Sequence, residues 1–350
     1  MSFLGSYPRL NNYTRQPRTG MFRVTNGDFR RVILWLSGLT PNSKGYPLAN
    51  KPVHSWQQQV YRTIHRLGFV QIDPVSAVER AHHHILFTRN RLYRKSYLKQ
   101  LLEKDHTIFE NWAHDAALLP TVYYPYWKHY FARAQTFEAH PGYRRHFAPV
   151  TKDLIKGVMT RIENEGPLRP RDFKSDKVAR RDPYFAQPTH AKLAIEFLWR
   201  TGKLAVAHRR GQEKVYDLAR RVIPSCHFEA EVSREKFIDW ACLSALKRLG
   251  FARPTQIAHF YDAVSTADVV RWCGSHMNKR ITKVEVVLAD GSIAGPVYTL
   301  ISLLDLLAQV PLSSRKLRLI NPFDPLIHDR RRTKEVFGFE YALEMWFPAT

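Results

Sequence analysis

The sequence predicts an α+β fold, mainly helical, built as tandem winged helix-turn-helix domains with a small C-terminal β segment. Three observations carry that prediction. A unit of helix, short helix, helix and two-stranded hairpin recurs along the chain, and that order is the winged-helix plan. Two of the hairpins have explicit turns, Arg209-Arg210-Gly211-Gln212 and Asp290-Gly291. The 54 Lys and Arg against 31 Asp and Glu leave a formal charge of +23, which suits a scaffold that grips a polyanion.

Residues 1–27 contain Arg9, Arg15, Arg18 and Arg23 and no acid, and Gly5, Pro8, Pro17 and Gly20 interrupt any regular amphipathic helix. They read as a loose, disordered basic arm. Residues 28–95 form a first winged-helix-like domain. Asp28 is placed to cap a helix running to about Ser37. A second helix, Ser55–Leu67, sets Trp56, Val60, Ile64 and Leu67 on one face and stops at Gly68. Val70–Asp73 and His83–Thr88 read as strands. Residues 96–150 are a polar-aromatic helical connector.

The second winged-helix domain covers 151–226. Its first helix, Lys152–Glu163, repeats Leu154, Val158 and Ile162 at helical spacing and breaks at Gly166-Pro167. A short turn follows at Arg169–Phe173. Thr189 caps a helix to Arg200, Gly202 ends it, and Lys203–His208 with Glu213–Asp217 make the wing. The third domain covers 227–300. Ser233 opens a helix with Ile238, Ala241, Ala245 and Leu249 on one face. Thr255–Tyr261 is a short helix, Ser265 caps another to about Met277, and Ile281–Leu288 and Ser292–Thr299 flank the Asp290-Gly291 turn. Residues 301–350 hold a helix, a basic run and one β-like stretch, Phe339–Phe347, a candidate incomplete β-barrel.

Composition narrows the partner and the compartment. Cys226, Cys242 and Cys273 are few, odd in number and without C-x-x-C spacing, which argues against a disulfide framework, a zinc ribbon or an iron–sulfur cluster. The best apolar run, Tyr298–Val310, is short and broken by Asp305, so no membrane span is expected. A cytoplasmic protein with nucleic acid as its partner is the expectation, and nothing suggests a dimer seam, so a monomer is expected.

Gln71-Ile72-Asp73 is the most chemical stretch of the chain. Two-residue periodicity puts Gln71 and Asp73 on one face and turns Ile72 the other way. A carboxylate beside a carboxamide can grip one water molecule, which is a hydrolytic arrangement. The spacing alone also fits a turn cap before Pro74. His82, His83 and His84 invite a metal reading, but no third ligand stands at suitable spacing, and neither a metal nor a cofactor is expected.

The residues resemble the AlkZ/YcaQ-like family of bacterial winged-helix DNA glycosylases. The matching stretches are Arg66-Leu67-Gly68-Phe69-Val70-Gln71-Ile72-Asp73, Val78-Glu79-Arg80-Ala81-His82-His83-His84-Ile85-Leu86, Trp112-Ala113-His114 and Leu118-Leu119-Pro120. Val215-Tyr216-Asp217-Leu218, Arg221-Val222-Ile223-Pro224, Asn321-Pro322-Phe323-Asp324-Pro325 and Phe337-Gly338-Phe339 extend the match toward the C-terminus. The resemblance implies a nucleoid-associated glycosylase that binds double-stranded DNA, excises alkylated purines and unhooks interstrand crosslinks. Gln71 and Asp73 fall on the Q-x-D form of the family's catalytic motif, as in the YcaQ-like branch. A crosslinked base cannot swing fully out of the duplex, so a shallow, open, basic cleft is expected instead of a deep flipping pocket.

Asp73 and Gln71 are therefore the candidate catalytic residues. Candidate DNA contacts are His82, His84, Arg89, Arg91, Trp112 and His114, the wing arginines Arg209 and Arg210, and the basic run Arg330, Arg331 and Arg332. No lysine stands out as a Schiff-base nucleophile, so a monofunctional enzyme is expected. Two other classes compete. A non-catalytic winged-helix regulator shares the fold but has no use for a carboxylate aimed at phosphate. A nuclease needs clustered carboxylates for magnesium, and Asp324, Asp329 and Glu335 are scattered among arginines.

Overall fold

The computed structural model describes residues 21–40, 55–73, 76, 78–136, 141–174, 188–312 and 316–341. In chain order the elements are β1 (Phe22–Val24), α1 (Asn26–Leu36), α2 (Trp56–Leu67), β2 (Val70–Gln71), α3 (Ala81–Arg89), α4 (Lys95–Glu103), β3 (Ile108–Trp112) and β4 (Ala116–Pro120). Next come α5 (Tyr124–Gln135), α6 (Pro141–His146), α7 (Lys152–Glu165), α8 (His190–Arg200), β5 (Leu204–Arg210), β6 (Glu213–Leu218), α9 (Ala219–Val222) and α10 (Ser225–Phe228). The remainder is α11 (Arg234–Leu249), β7 (Phe251–Ala252), α12 (Pro254–His259), α13 (Thr266–His276), β8 (Ile281–Val287), β9 (Ile293–Leu300), α14 (Ile301–Leu306) and α15 (Arg330–Phe337). The chain divides into two compact units, Met1–Lys51 with Ala241–Thr350, and Pro52–Trp240. The fold is α+β and mainly helical.

In the first unit, α12, α13 and the β8–β9 hairpin follow the winged-helix order. Ser265 caps α13 in a reciprocal box, its hydroxyl accepting from the Asp268 amide while Asp268 receives the Ser265 amide. β7 pairs with β9, and β1 adds parallel to β8 with Phe22 opposite Val284. Arg23 and Glu285, directly opposite in that register, pair at 2.7 Å. Residues 22–27 are thus strand and helix start, not part of a loose arm. Thr25 is the cap of α1, and Asp28 stands inside its first turn. Residues 1–20 and the greater part of the β-like stretch 339–347 lie outside the described residues.

In the second unit, α7, a 3-10 turn (Pro170–Asp172), α8 and the β5–β6 hairpin follow one another in chain order. Val158, Ile162, Ala194, Ile195, Leu198, Trp199, Leu204, Val206, Tyr216 and Leu218 close its core. Thr189 caps α8, as its spacing predicts. Gly202, at φ +71°, takes the left-handed turn, and a Cβ there would strike the Phe131 ring.

Two expectations for 28–150 give way. The first winged-helix segment does not stay together, because α1 belongs to the first unit and α2 to the second. Residues 83–88 are helical, within α3, and not a strand. Ala81, His82, Ile85 and Leu86 are buried there, which is a helical repeat that a short apolar run disguises. The partner of β2 comes from the segment expected to be a helical connector. β4 pairs with β2, Val70 opposite Leu118 and Gln71 opposite Ala117, and β3 completes a sheet of order β2-β4-β3. α2 covers its neighbours with Val60, Ile64 and Leu67 buried, each worth about 1.5–3 kcal/mol.

Candidate active site

Gln71 ends β2, and the chain runs on from it beside the tip of the β3–β4 hairpin. The Ile72 amide donates to the Ala116 carbonyl at 2.7 Å, which extends the pairing by one residue and fixes where Asp73 emerges. Trp112-Ala113-His114-Asp115 turns the hairpin, and the Ala113 amide closes it on the Asp115 carbonyl at 2.9 Å. The Asp115 carboxylate folds back onto its own strand. Its Oδ1 accepts from the Ala116 amide at 2.7 Å, and its Oδ2 receives the Gln71 Nε2 at a long 3.5 Å.

Gln71 is 4% exposed, and its Oε1 is buried with no hydrogen-bond donor of the described protein upon it. An unmet buried acceptor is costly, and such groups gather at functional sites. Asp73 is half-buried and not sealed in the core. Asp115 stands close enough to feel it. Burial raises the Asp115 pKa above its ordinary value and the Asp73 charge raises it further, while the Ala116 hydrogen bond, Arg200 and Lys214 pull it back. Two carboxylates and a carboxamide thus share one corner. That corner can hold a water between a hydrogen-bond acceptor and a base, and it concentrates negative charge where a cation would form.

Lower on the same hairpin, Glu110 is buried and paired. Arg209 grips it bidentately, Nε and Nη2 each at 2.6 Å, and Lys214 Nζ lies 3.6 Å away. Burial alone would raise the Glu110 pKa, but the two cations hold it below the ordinary carboxyl value. The Arg209 amide also donates to Glu103 at 3.1 Å, and the Lys214 ammonium sits 3.7 Å over the Trp199 ring. Trp199 Nε1 donates to the Glu110 carbonyl, and Asn111 Nδ2 to the Trp199 carbonyl, both at 2.9 Å. The wing is thereby bolted to the hairpin. Arg209 is a corrected expectation: its guanidinium is spent on Glu110, not offered to DNA. Arg210, one residue further along β5, is exposed.

Other foreseen contacts sort in the same way. Trp112 is packed against the α7–α8 core with the Arg200 guanidinium 3.4 Å over its ring, so its face is occupied by protein. Glu196 holds that arginine at 2.7 Å. His114 stands in the hairpin turn next to Asp115, its ring 5.8 Å from that of Phe69. His82 is 7% exposed, and burial with the His83 charge lowers its pKa to about 3. It is a neutral, packed imidazole beside the Glu110 cluster, not a phosphate contact. His83 Nδ1 meets the Tyr93 hydroxyl at 2.6 Å, and burial holds its pKa at about 4. His84 is half-buried on α3.

Arg89 turns back to the Ile85 carbonyl at 3.1 Å, while Arg91 is exposed. The run Arg330, Arg331 and Arg332 begins α15 and is not a loop. Arg332 is 5% exposed, donating to the Phe251 carbonyl at 2.7 Å and to the Leu249 carbonyl, which closes the end of α11. It is a helix clamp, not a DNA contact. Arg330 stacks on Tyr341, and Arg331 is open to solvent beside Glu335.

Asp115, Glu110, Arg200 and Lys214 were invisible as site residues from spacing. Asp115 follows directly on Trp112-Ala113-His114, and that adjacency was the one available signal.

Among the described residues no helix is long and apolar enough to cross a membrane. Residues 64–350 match the family model described as DNA glycosylase AlkZ-like. Among solved structures, Streptomyces sahachiroi DNA glycosylase AlkZ resembles the chain with a TM-score of 0.56 at 16% identity, over 87% of this chain and 77% of that one.

Proposed function

The chain belongs to the AlkZ-like family of DNA glycosylases, and from that we propose that it is a monofunctional enzyme hydrolysing the N-glycosidic bond of N7-alkylated purines, interstrand crosslinks included. Asp73 and Gln71 carry the reaction. Alkylation at N7 makes the purine cationic, so the base departs without a protein acid, taking the electrons of the C1′–N9 bond and leaving as a neutral molecule. Positive charge then develops on the sugar. Asp73 stabilises it and receives a proton from the water whose oxygen bonds to C1′. Gln71 Oε1 accepts the other hydrogen of that water and fixes its direction.

The observation that carries this reading is the buried, donorless Gln71 Oε1 beside a half-buried aspartate with a second carboxylate close by. Such an excess of acceptors suits a positive transition state and would only repel phosphate in a passive binder. The net charge of +23 supplies the attraction for the duplex as a whole. A crosslinked base stays tethered to the opposite strand, and a half-buried Asp73 is compatible with approach along a groove.

The test incubates the protein with duplex carrying one N7-methylguanine and scores alkali-labile sites, with an interstrand-crosslinked duplex run in parallel on denaturing gels. Asp73→Asn is expected to lower excision by about 10²–10⁴-fold while leaving duplex affinity nearly unchanged. Near wild-type excision by that variant would overturn the assignment.

A further inference from the structure

We propose that Asp115 is a positioning residue of this reaction: it fixes the polarity of the Gln71 side-chain amide, so that Oε1 and not Nε2 faces the water held with Asp73. The inference rests on the reading of Gln71 and Asp73 as the water-holding pair, and it adds a residue that neither the Q-x-D spacing nor the wing geometry contains.

An ionised carboxylate accepts hydrogen bonds and cannot donate them. Asp115 Oδ1 is already committed to the Ala116 amide at 2.7 Å, so Oδ2 is the atom presented to Gln71. Only the NH₂ side of the Gln71 amide can satisfy it, and the 3.5 Å approach of Nε2 to Oδ2 is that arrangement, drawn at a length that substrate binding can shorten. The Gln71 carbonyl must then point away from Asp115. It is buried and has no donor among the described residues, so its hydrogen-bonding capacity is unspent. Asp73 faces Asp115 from the β2 side, Arg200 from α8 and Lys214 from β6. Arg200 is also held by Glu196 and Lys214 by Glu110, so each cation divides its charge between Asp115 and a second carboxylate.

The geometry makes one substitution unusually informative. In Asp115→Asn the side-chain oxygen keeps the Ala116 hydrogen bond, and the new NH₂ falls where Oδ2 was. Gln71 must then turn over and present Oε1 to the asparagine, which leaves its NH₂ toward the water. The orientation of the nucleophile is inverted with almost no change of shape. Adding Gln71→Glu to that background restores an acceptor on both sides of position 71 and returns the charge count to its original value.

Single-turnover excision of N7-methylguanine from a duplex, measured across pH on the full chain, decides the matter. Asp115→Asn is expected to slow the bound-state rate by about ten- to a hundredfold without changing the DNA concentration for half-saturation. Its acid limb should move to lower pH, because protonation of Asp115 no longer contributes. The Asp115→Asn/Gln71→Glu pair should recover most of the lost rate. A single variant with wild-type rate and wild-type pH profile would overturn the proposal, as would a pair no faster than the single variant. If the single variant fails to fold, the pair decides alone: an active pair supports the positioning role and an inactive one overturns it. Asp73→Asn run alongside separates the two readings. An active Asp73→Asn removes the water-holding pair itself, whereas an inactive Asp73→Asn with an unaffected Asp115→Asn removes only the positioning role.

Discussion

The β3–β4 hairpin carries two carboxylates under contrasting conditions. Glu110, in the middle of β3, is buried between Arg209 and Lys214 and is held ionised. Asp115, at the turn, faces Asp73 and a carboxamide with a bare oxygen, and its ionisation is resisted. The first region satisfies its charges internally. The second brings two carboxylates within each other's influence beside an unmet buried acceptor. Balanced clusters hold a fold together, and perturbed groups gather where a substrate is handled. Arg209 belongs to the first kind.

The contrast breaks most visibly at Glu110. Glu110→Gln strands two largely buried cations and is expected to cost about 3–5 kcal/mol, read as a fall in the denaturant midpoint. Replacing the whole cluster, Glu110→Leu with Arg209→Met and Lys214→Met, should by contrast leave stability near the starting value, because no charge is left unpaired. If the triple variant is as unstable as the single one, the cluster is doing more than cancelling itself.

At the turn, the same measurement should run the other way. A carboxyl whose folded pKa is raised costs nothing at acid pH and its full penalty above the raised value. Asp115→Asn is therefore expected to keep or slightly raise stability at neutral pH, with the gain vanishing as pH falls below the ordinary carboxyl range. His82 supplies a third pH signature. Its folded pKa of about 3 lies below the ordinary 6.5, so the stability it lends is complete above 6.5 and is lost as pH falls toward 3. His82→Gln should flatten unfolding midpoints over that window.

The smallest effect comes from single exposed arginines, Arg210 on β5 and Arg331 on α15. If exposed Arg210 meets phosphate, Arg210→Ala should reduce the slope of log affinity against log salt by about 0.9. The conservative Arg331→Lys should leave it unchanged, because the charge is retained. A salt response that is flat for the wild-type protein would remove the electrostatic basis of duplex binding.

The sequence alone determined α2, α7, α8, α11, α12 and α13, the two hairpins and the Q-x-D motif. Ser55, Thr151, Thr189 and Ser265 cap helices through bonds spanning three residues, and apolar positions repeat every three or four. Those signals are short-range, so they survive in one dimension. Tertiary structure alone decided that β2 would find β4, that the three histidines would lie on a helix, that Arg209 and Arg332 would turn inward, and that Asp115 would arrive beside Gln71. The β2–β4 pairing, the inward turns of Arg209 and Arg332 and the approach of Asp115 depend on partners 44 to 99 residues apart in the chain, as for Gln71 with Asp115 and Arg209 with Glu110. An arginine reads alike in sequence whether it faces solvent or a buried glutamate, because the energy that distinguishes the two comes from desolvation and pairing, which exist only once the chain has folded.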